Sequence, residues 1–190
     1  MISSEAKRLE RLVTDLLDMT RLESGTLRMR QQWVPFEEVL GSAMGRMEST
    51  LADRPVITEV PEDLPLAFID PMLMEQVLVN LLENAVKYTP PKSAIEVCAR
   101  SAREGVEIEI GDHGPGVPSG HEDEIFEKFY RGEGVREIGS GLGLAICKGI
   151  VEAHGGSIHV ENRQGGGAVF RIWLPAPAGG RPIPLPLAES

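Results

Sequence analysis

Apolar residues early in the chain recur at helical spacing. Leu9, Leu12, Val13, Leu16 and Leu17 follow an i, i+3, i+4, i+7, i+8 pattern with charged residues between them. The pattern predicts an amphipathic helix from Ser4 to about Glu23, closed by Gly25 as C-cap. A stripe of this kind has little to bury against within its own segment, so it calls for a partner helix in the same chain or another. The period then changes. Leu27, Met29, Gln31 and Trp33 alternate as a short strand that Pro35 stops, and Phe36, Val39, Leu40, Ala43, Met47 and Leu51 return to helical spacing. A strand pair is expected at Val56–Val60 and Ala67–Ile69, with Pro61 and Pro65 between.

Asp70 is a good N-cap, and Pro71 suits the first position of a helix that should run to Tyr88, before Pro90 and Pro91. Two strands follow, Ile95–Ala99 and Val106–Ile110. The stretch Gly111–Gly141 is long, glycine-rich and charged, with one short apolar patch from Ile125 to Tyr130, which suggests a mobile lid. A helix from Leu142 to Ala153 comes next. Ile158 and Val160 should then pair with Phe170, Ile172 and Leu174 across the Gly165–Gly167 turn. The order predicts an α+β domain (an α/β sandwich) over residues 26–175, a mixed sheet with helices on one face. One helical segment (1–25) precedes it, and a Pro- and Gly-rich tail (176–190) without period is expected to be disordered.

Length and composition fit this picture. The 190 residues suffice for one domain and an appendage, and 42% hydrophobic residues can build a core. With 19 basic against 29 acidic residues, the net charge of −10 argues against nucleic acid as a partner, though a few local groups can still hold a nucleotide. No apolar run is long enough for a membrane helix and no secretory pattern opens the chain, so it is expected to be cytoplasmic, with any membrane anchor upstream. Cys98 and Cys147 lie in apolar patterns without metal-ligand spacing and are expected to be buried free thiols.

Three segments carry candidate chemistry. The helix to Tyr88 is apolar nearly all round, yet Asn80, Asn84, Lys87 and Tyr88 form a narrow polar stripe. Two amide oxygens one turn apart above an ammonium suit Mg²⁺ and a polyphosphate; a solvated helix face is the plainer reading. Asp112-His113-Gly114-Pro115-Gly116 directly follows a strand. A carboxylate there can accept a hydrogen bond from the amino group of adenine, and the glycines let backbone approach a flat base; a simple turn has the same composition. Gly139-Ser140-Gly141-Leu142-Gly143-Leu144 opens a helix and leaves N–H groups at a helix N-terminus, an anion site. The glycine spacing and the absence of a preceding βαβ unit exclude a dinucleotide fingerprint.

The order of these segments resembles the sensor histidine kinases. Asn80-Leu-Leu-Glu-Asn84-Ala-Val-Lys87-Tyr88 is similar to their N box, Asp112–Gly116 to the first glycine box, and Ile125-Phe126-Glu-Lys-Phe129 to the F box. Gly139–Leu144 is similar to the second glycine box. The resemblance implies a Bergerat-type ATP-binding fold in which ATP lies between helices and a lid. It implies that Asp112 binds the adenine amino group, with Gly114, Gly116, Val117, Phe126 and Phe129 around the nucleotide. Asn84, with Asn80, would hold Mg²⁺. Lys87, Tyr88 and Arg131 would face the phosphates, with Gly139, Ser140, Gly141, Leu142, Gly143 and Leu144 closing over them. Asn80, Lys87 and Arg131 would be the catalytic set.

Leu9–Arg21 with the following Leu-Glu-Ser-Gly resembles the second helix of the family's dimerisation and phosphoacceptor hairpin. The acceptor histidine would then lie outside this chain, on a helix of the same or a partner kinase chain. His113, His121, His154 and His159 do not match its motif. A response regulator as partner, a homodimeric parent anchored in the inner membrane, and no autophosphorylation by this chain alone complete what the resemblance implies. Several runs, Gly-Leu-Gly-Leu-Ala-Ile-Cys among them, resemble the potassium-responsive branch of the family. The alternatives are a serine kinase or ATPase of the same fold, or a pseudo-kinase that only binds a partner.

Overall fold

The structure is a computed structural model, and it describes residues 2–131 and 140–176. Gly139 and the tail from residue 177 lie outside the described residues. The elements in order are α1 (Ile2–Glu23), β1 (Gln32–Val34), α2 (Phe36–Arg46), α3 (Glu48–Leu51), β2 (Val56–Glu59), β3 (Ala67–Ile69) and α4 (Pro71–Tyr88). Then come β4 (Ile95–Ala102), β5 (Gly105–Gly111), a 3₁₀ turn (Glu124–Phe126), α5 (Gly143–Ala153), β6 (Ser157–Asn162) and β7 (Ala168–Pro175).

Five strands form a mixed sheet in the order β2-β4-β5-β7-β6, and β1 pairs with β3 in a small separate sheet. The strand alternation has the expected consequence. Ile95, Val97 and Ala99 of β4, Val106, Ile108 and Ile110 of β5, and Phe170, Ile172 and Leu174 of β7 are all buried. They face Met74, Val77, Leu78, Leu81 and Leu82 of α4 and Ile146, Ile150 and Val151 of α5 in one core. The opposite face carries Glu96, Arg100, Glu107, Glu109, Arg171 and Glu161, tied in ion pairs such as Arg100–Glu109 at 2.8 Å and Arg171–Glu161 at 2.9 Å.

Two expectations are corrected. The segments at 56–60 and 67–69 do not pair with each other: β2 joins β4 in parallel, and β3 joins β1 antiparallel, with Trp33 opposite Phe68. The turn through Pro61 and Pro65 carries β3 off the main sheet, and β2 reaches β4 through α4 as a crossover. The single helix expected over 36–51 is broken at Met47, whose backbone (φ −101, ψ 9) leaves the helical region while its side chain is buried. Gly41 and Gly45 weaken the last turns before that break.

Helix α1 docks on the domain by a face other than the predicted stripe. Leu9, Val13, Leu16 and Leu17 are exposed, whereas Asp15 is buried and Met19 and Leu22 pack against the core. Leu22 lies against Gly149 of α5, where an added Cβ would come within 3.0 Å of it. Asp18 accepts a hydrogen bond from Gln76 of α4 at 2.8 Å.

Candidate functional site

Asp70 fixes where α4 begins. Its Oδ1 accepts from the N–H groups of Met72 and Leu73, and its Oδ2 from Arg30 N–H at 2.7 Å. Its own N–H donates to Nε2 of buried His154 at 3.0 Å, while Nδ1 of that ring lies 2.7 Å from Ile150 O. Since Nε2 must accept, Nδ1 carries the proton and donates, so His154 ties the end of α5 to the start of α4. At the other end of α4, Arg54 donates to the carbonyls of Val86 (2.9 Å) and Thr89 (3.2 Å), satisfying terminal acceptors of the helix. Both ends are thereby held, and the polar stripe starts from a fixed rod.

Along that stripe the four residues part company. Asn80 is buried in the seam between α4 and α5, its Nδ2 3.5 Å from Gly143 O. A Cβ on Gly143 would stand 3.8 Å from the Asn80 amide carbon, so the second glycine segment and the first asparagine are neighbours. Asn84 is half-buried, and its side-chain amide makes no hydrogen bond to a described residue. Lys87 Nζ donates to Tyr88 Oη at 2.8 Å and stands over its ring at 4.5 Å, with Tyr88 exposed.

Asp112 follows the last residue of β5 and is 8% exposed. Its Oδ1 accepts from Gly114 N–H (2.8 Å) and Ala168 N–H (3.3 Å), and its own N–H donates to Ala168 O at 2.9 Å. Oδ2 has no hydrogen-bond partner among the described residues, so the carboxylate keeps one acceptor oxygen for a ligand. The glycines are needed for close packing here. A Cβ on Gly114 would meet Tyr88 O at 2.8 Å, and one on Gly167, at φ +104, would meet Asp112 O at 2.0 Å. Val117 is gripped by a side chain acting as a strand partner: its N–H donates to Asn162 Oδ1, and Asn162 Nδ2 donates to its carbonyl, both at 2.7 Å.

Phe126 is buried, edge-on to Phe170 at 6.3 Å, and so belongs to the core of this structure. Phe129 is 64% exposed and holds a left-handed backbone (φ 62), donating its N–H to Gly141 O at 2.9 Å. A non-glycine residue there is strained, and Gly141 (φ +71) has no room for a Cβ beside Phe129 Cα at 2.9 Å. Ser140 Oγ accepts from Leu142 N–H at 3.2 Å at the foot of α5. Leu142 is buried, Leu144 and Gly143 start α5, and Arg131 is exposed. Gly116 (φ +77) packs against Asn162 Oδ1.

The structure therefore gathers α4, the end of β5, the Gly114–Val117 loop and the start of α5 around one region. Sequence reasoning missed the residues behind it. Asn162, Arg163, Gly167 and Ala168 shape the Asp112 loop from the β6–β7 hairpin, and only the run of three glycines hinted at it. Cys147 is fully buried, as expected, its Sγ 3.8 Å from Val77 O, and burial pushes its thiol up to about 12. Cys98 is only half-buried, because it points to the outer sheet face; partial burial and the neighbouring Glu59 and Glu109 raise its thiol as well.

Residues 69–178 match the model of the histidine kinase-, DNA gyrase B- and HSP90-like ATPases, more than half of the chain. The chain belongs to that family. Among curated relatives it is 46% identical over 166 residues to the sensor protein KdpD of Escherichia coli, covering 87% of this chain but 18% of that protein. Solved histidine kinases share the fold. ShkA, determined full-length with AMPPNP, aligns with a TM-score of 0.80 at 28% identity over 92% of this chain and 38% of its own. ThkA in complex with the response regulator TrrA aligns with a TM-score of 0.74 at 28% identity over 92% of this chain and 49% of its own. The chain thus spans about a fifth of the KdpD relative and carries the family's α/β sandwich, with the histidine-kinase type of ATPase domain.

Proposed function

We propose that this chain is the ATP-binding catalytic part of a two-component sensor histidine kinase. In that role the γ-phosphoryl group passes from ATP to a histidine outside the chain, and from there to an aspartate of a response regulator. The observation that carries the reading is Asp112: a buried carboxylate whose Oδ1 is bound by its own fold and whose Oδ2 is left to accept from the amino group of adenine. The AMPPNP bound to ShkA and the regulator bound to ThkA support the nucleotide and the partner, and the identity to KdpD supports a potassium-responsive parent.

Other site residues take roles that their positions allow. Lys87 and Tyr88 at the end of α4, Arg131, and the N–H groups at the start of α5 would meet the phosphates. Mg²⁺ fits the donors present. Asn84 offers an amide oxygen without a described partner, and no cluster of three acidic, histidine or cysteine groups occurs among the described residues. The ion would therefore come with the triphosphate and retain waters, helped by Asn84 with Asn80 nearby. Once bound, it would neutralise phosphate charge. Asn80 cannot take a proton from water, which disfavours hydrolysis against transfer to a protein group. Without an acceptor histidine, the chain is expected to bind ATP and not to phosphorylate itself. Its parent would be a homodimer through the α1 hairpin, reaching the membrane through other regions.

Titration of Mg-ATP by calorimetry tests the reading. The parent chain should bind, Asp112→Ala should not, and phosphate should pass to an added acceptor hairpin and then to a regulator. A folded parent that releases no heat would sink the proposal and favour a partner-binding pseudo-kinase.

A further inference from the structure

Behind Asp112, on the outer face of the sheet, three charged or titratable side chains from three distant segments meet. Arg163, just past β6, forms an ion pair with Glu96 of β4. The other oxygen of the Glu96 carboxylate is 2.9 Å from His113 Nε2. Arg163 Nη1 lies 3.4 Å from the Asp112 carbonyl and the same distance from His113 Nε2. Glu96 is paired across the sheet with Gly111 of β5. The bare Gly111 leaves room for the guanidinium: a Cβ there would stand 3.3 Å from Arg163 Nη1. Nothing in the core requires this bridge, and its members are partly exposed, with Arg163 at 26% and Glu96 at 30%. An ion pair so placed adds little to global stability.

We propose that Arg163, Glu96 and His113 form a brace that positions Asp112 for selecting adenine over guanine. The inference rests on the reading of Asp112 as the base-binding carboxylate. Asp112 is held in front by Gly114 and Ala168 N–H groups; the brace holds its backbone from behind, at the carbonyl, so that the peptide plane cannot rock. Arg163 is anchored by Glu96, and Glu96 by its second contact to His113, which immediately follows Asp112. Selection depends on direction: adenine presents an amino donor where guanine presents a carbonyl acceptor, and a carboxylate oxygen rewards the first and repels the second. A carboxylate free to tilt loses that discrimination before it loses all affinity. Arg163, Glu96 and His113 act through Asp112 and are positioning residues. The hydrogen bond that Arg163 lends to the Asp112 carbonyl, at 3.4 Å, comes from a charged donor, and such a bond is worth about a tenfold change in an equilibrium.

The test compares binding of Mg-ATP and Mg-GTP to the parent chain, Arg163→Met, Glu96→Ala and Glu96→Gln, with a melting curve for each. In Arg163→Met and Glu96→Ala the preference for ATP over GTP should fall by about tenfold while the melting temperature changes little. Glu96→Gln keeps the shape and both acceptor or donor contacts, and should retain most of the preference. A lowered melting temperature with an unchanged ATP-to-GTP ratio would mean that the cluster is merely structural and would overturn the proposal. An unchanged ratio in variants that melt like the parent would overturn it equally. If the parent binds neither nucleotide, the reading of Asp112 itself fails, and the brace with it.

Discussion

Asp15 on α1 accepts a hydrogen bond of 2.8 Å from Ser140 Oγ, which itself accepts from Leu142 N–H at the start of α5. The contact joins residues 125 positions apart. It places a buried carboxylate from the appended helix at the root of the segment that would close over ATP.

Ser140→Ala should therefore loosen two things together, a partner of the buried Asp15 and the first turn of α5. The expected loss is about 1–3 kcal/mol, read from denaturant unfolding. Asp15→Ala combined with Ser140→Ala should cost less than the separate losses added, since one interaction is removed twice. Strict additivity would show that the two residues do not cooperate.

Gly167 and Gly165 offer a matched pair. Both have left-handed backbones, at φ +104 and +95, but only at Gly167 would a Cβ collide with backbone, the Asp112 carbonyl. Gly165→Ala should cost about 1–2 kcal/mol, from backbone conformation alone. Gly167→Ala should cost clearly more and should impair nucleotide binding, because the collision pushes on Asp112. Equal losses in thermal unfolding of the two variants would argue against the packing described.

The hydrogen bond from Arg163, joined by the contact with His113 and the charge of Arg163, outweighs partial burial and holds the Glu96 carboxyl below its ordinary value. A carboxylate depressed in the folded state contributes stability that is fully present above its ordinary value and is lost as pH falls through the lowered one. The Glu96 contribution should thus be constant from neutral pH to about pH 5 and disappear only in stronger acid. Unfolding of the parent chain and Glu96→Gln across that range gives the check. Their difference should be flat and then shrink.

Cys147 should resist alkylation in the native protein, being fully buried with its thiol pushed up to about 12. Cys98, half-buried on the outer sheet face, should react first, though slowly. Mass spectrometry of iodoacetamide-treated protein, native and denatured, distinguishes the two sites. Native modification of Cys147 ahead of Cys98 would contradict the packing of α5 on α4.

Local chemistry made much of this legible. Asp70 and Pro71 marked the start of α4, the paired prolines marked its end, and alternation marked β4, β5 and β7 because each buries one face. The pairing of β2 with β4 was not legible, since a short strand carries no mark of its distant neighbour. Nor was the docked face of α1. Asp15, Met19 and Leu22 do lie at helical spacing, but a buried aspartate looks like a polar position until its partner Ser140 is known. The brace was hidden for the same reason: Glu96 and Arg163 are 67 residues apart and each alone reads as a surface charge. The site's front was written in motifs and its back in tertiary contacts.

The Asn162 clamp on Val117 also bears on the order in which the protein can be made. Asp112 and the loop to Val117 emerge early, yet the groups that shape that loop arrive 45 to 56 positions later, at Asn162 and Ala168. An emerging chain therefore carries this loop without its partners until the β6–β7 hairpin leaves the ribosome. Emergence of that hairpin, rather than appearance of the motif, sets the moment at which the loop takes its shape.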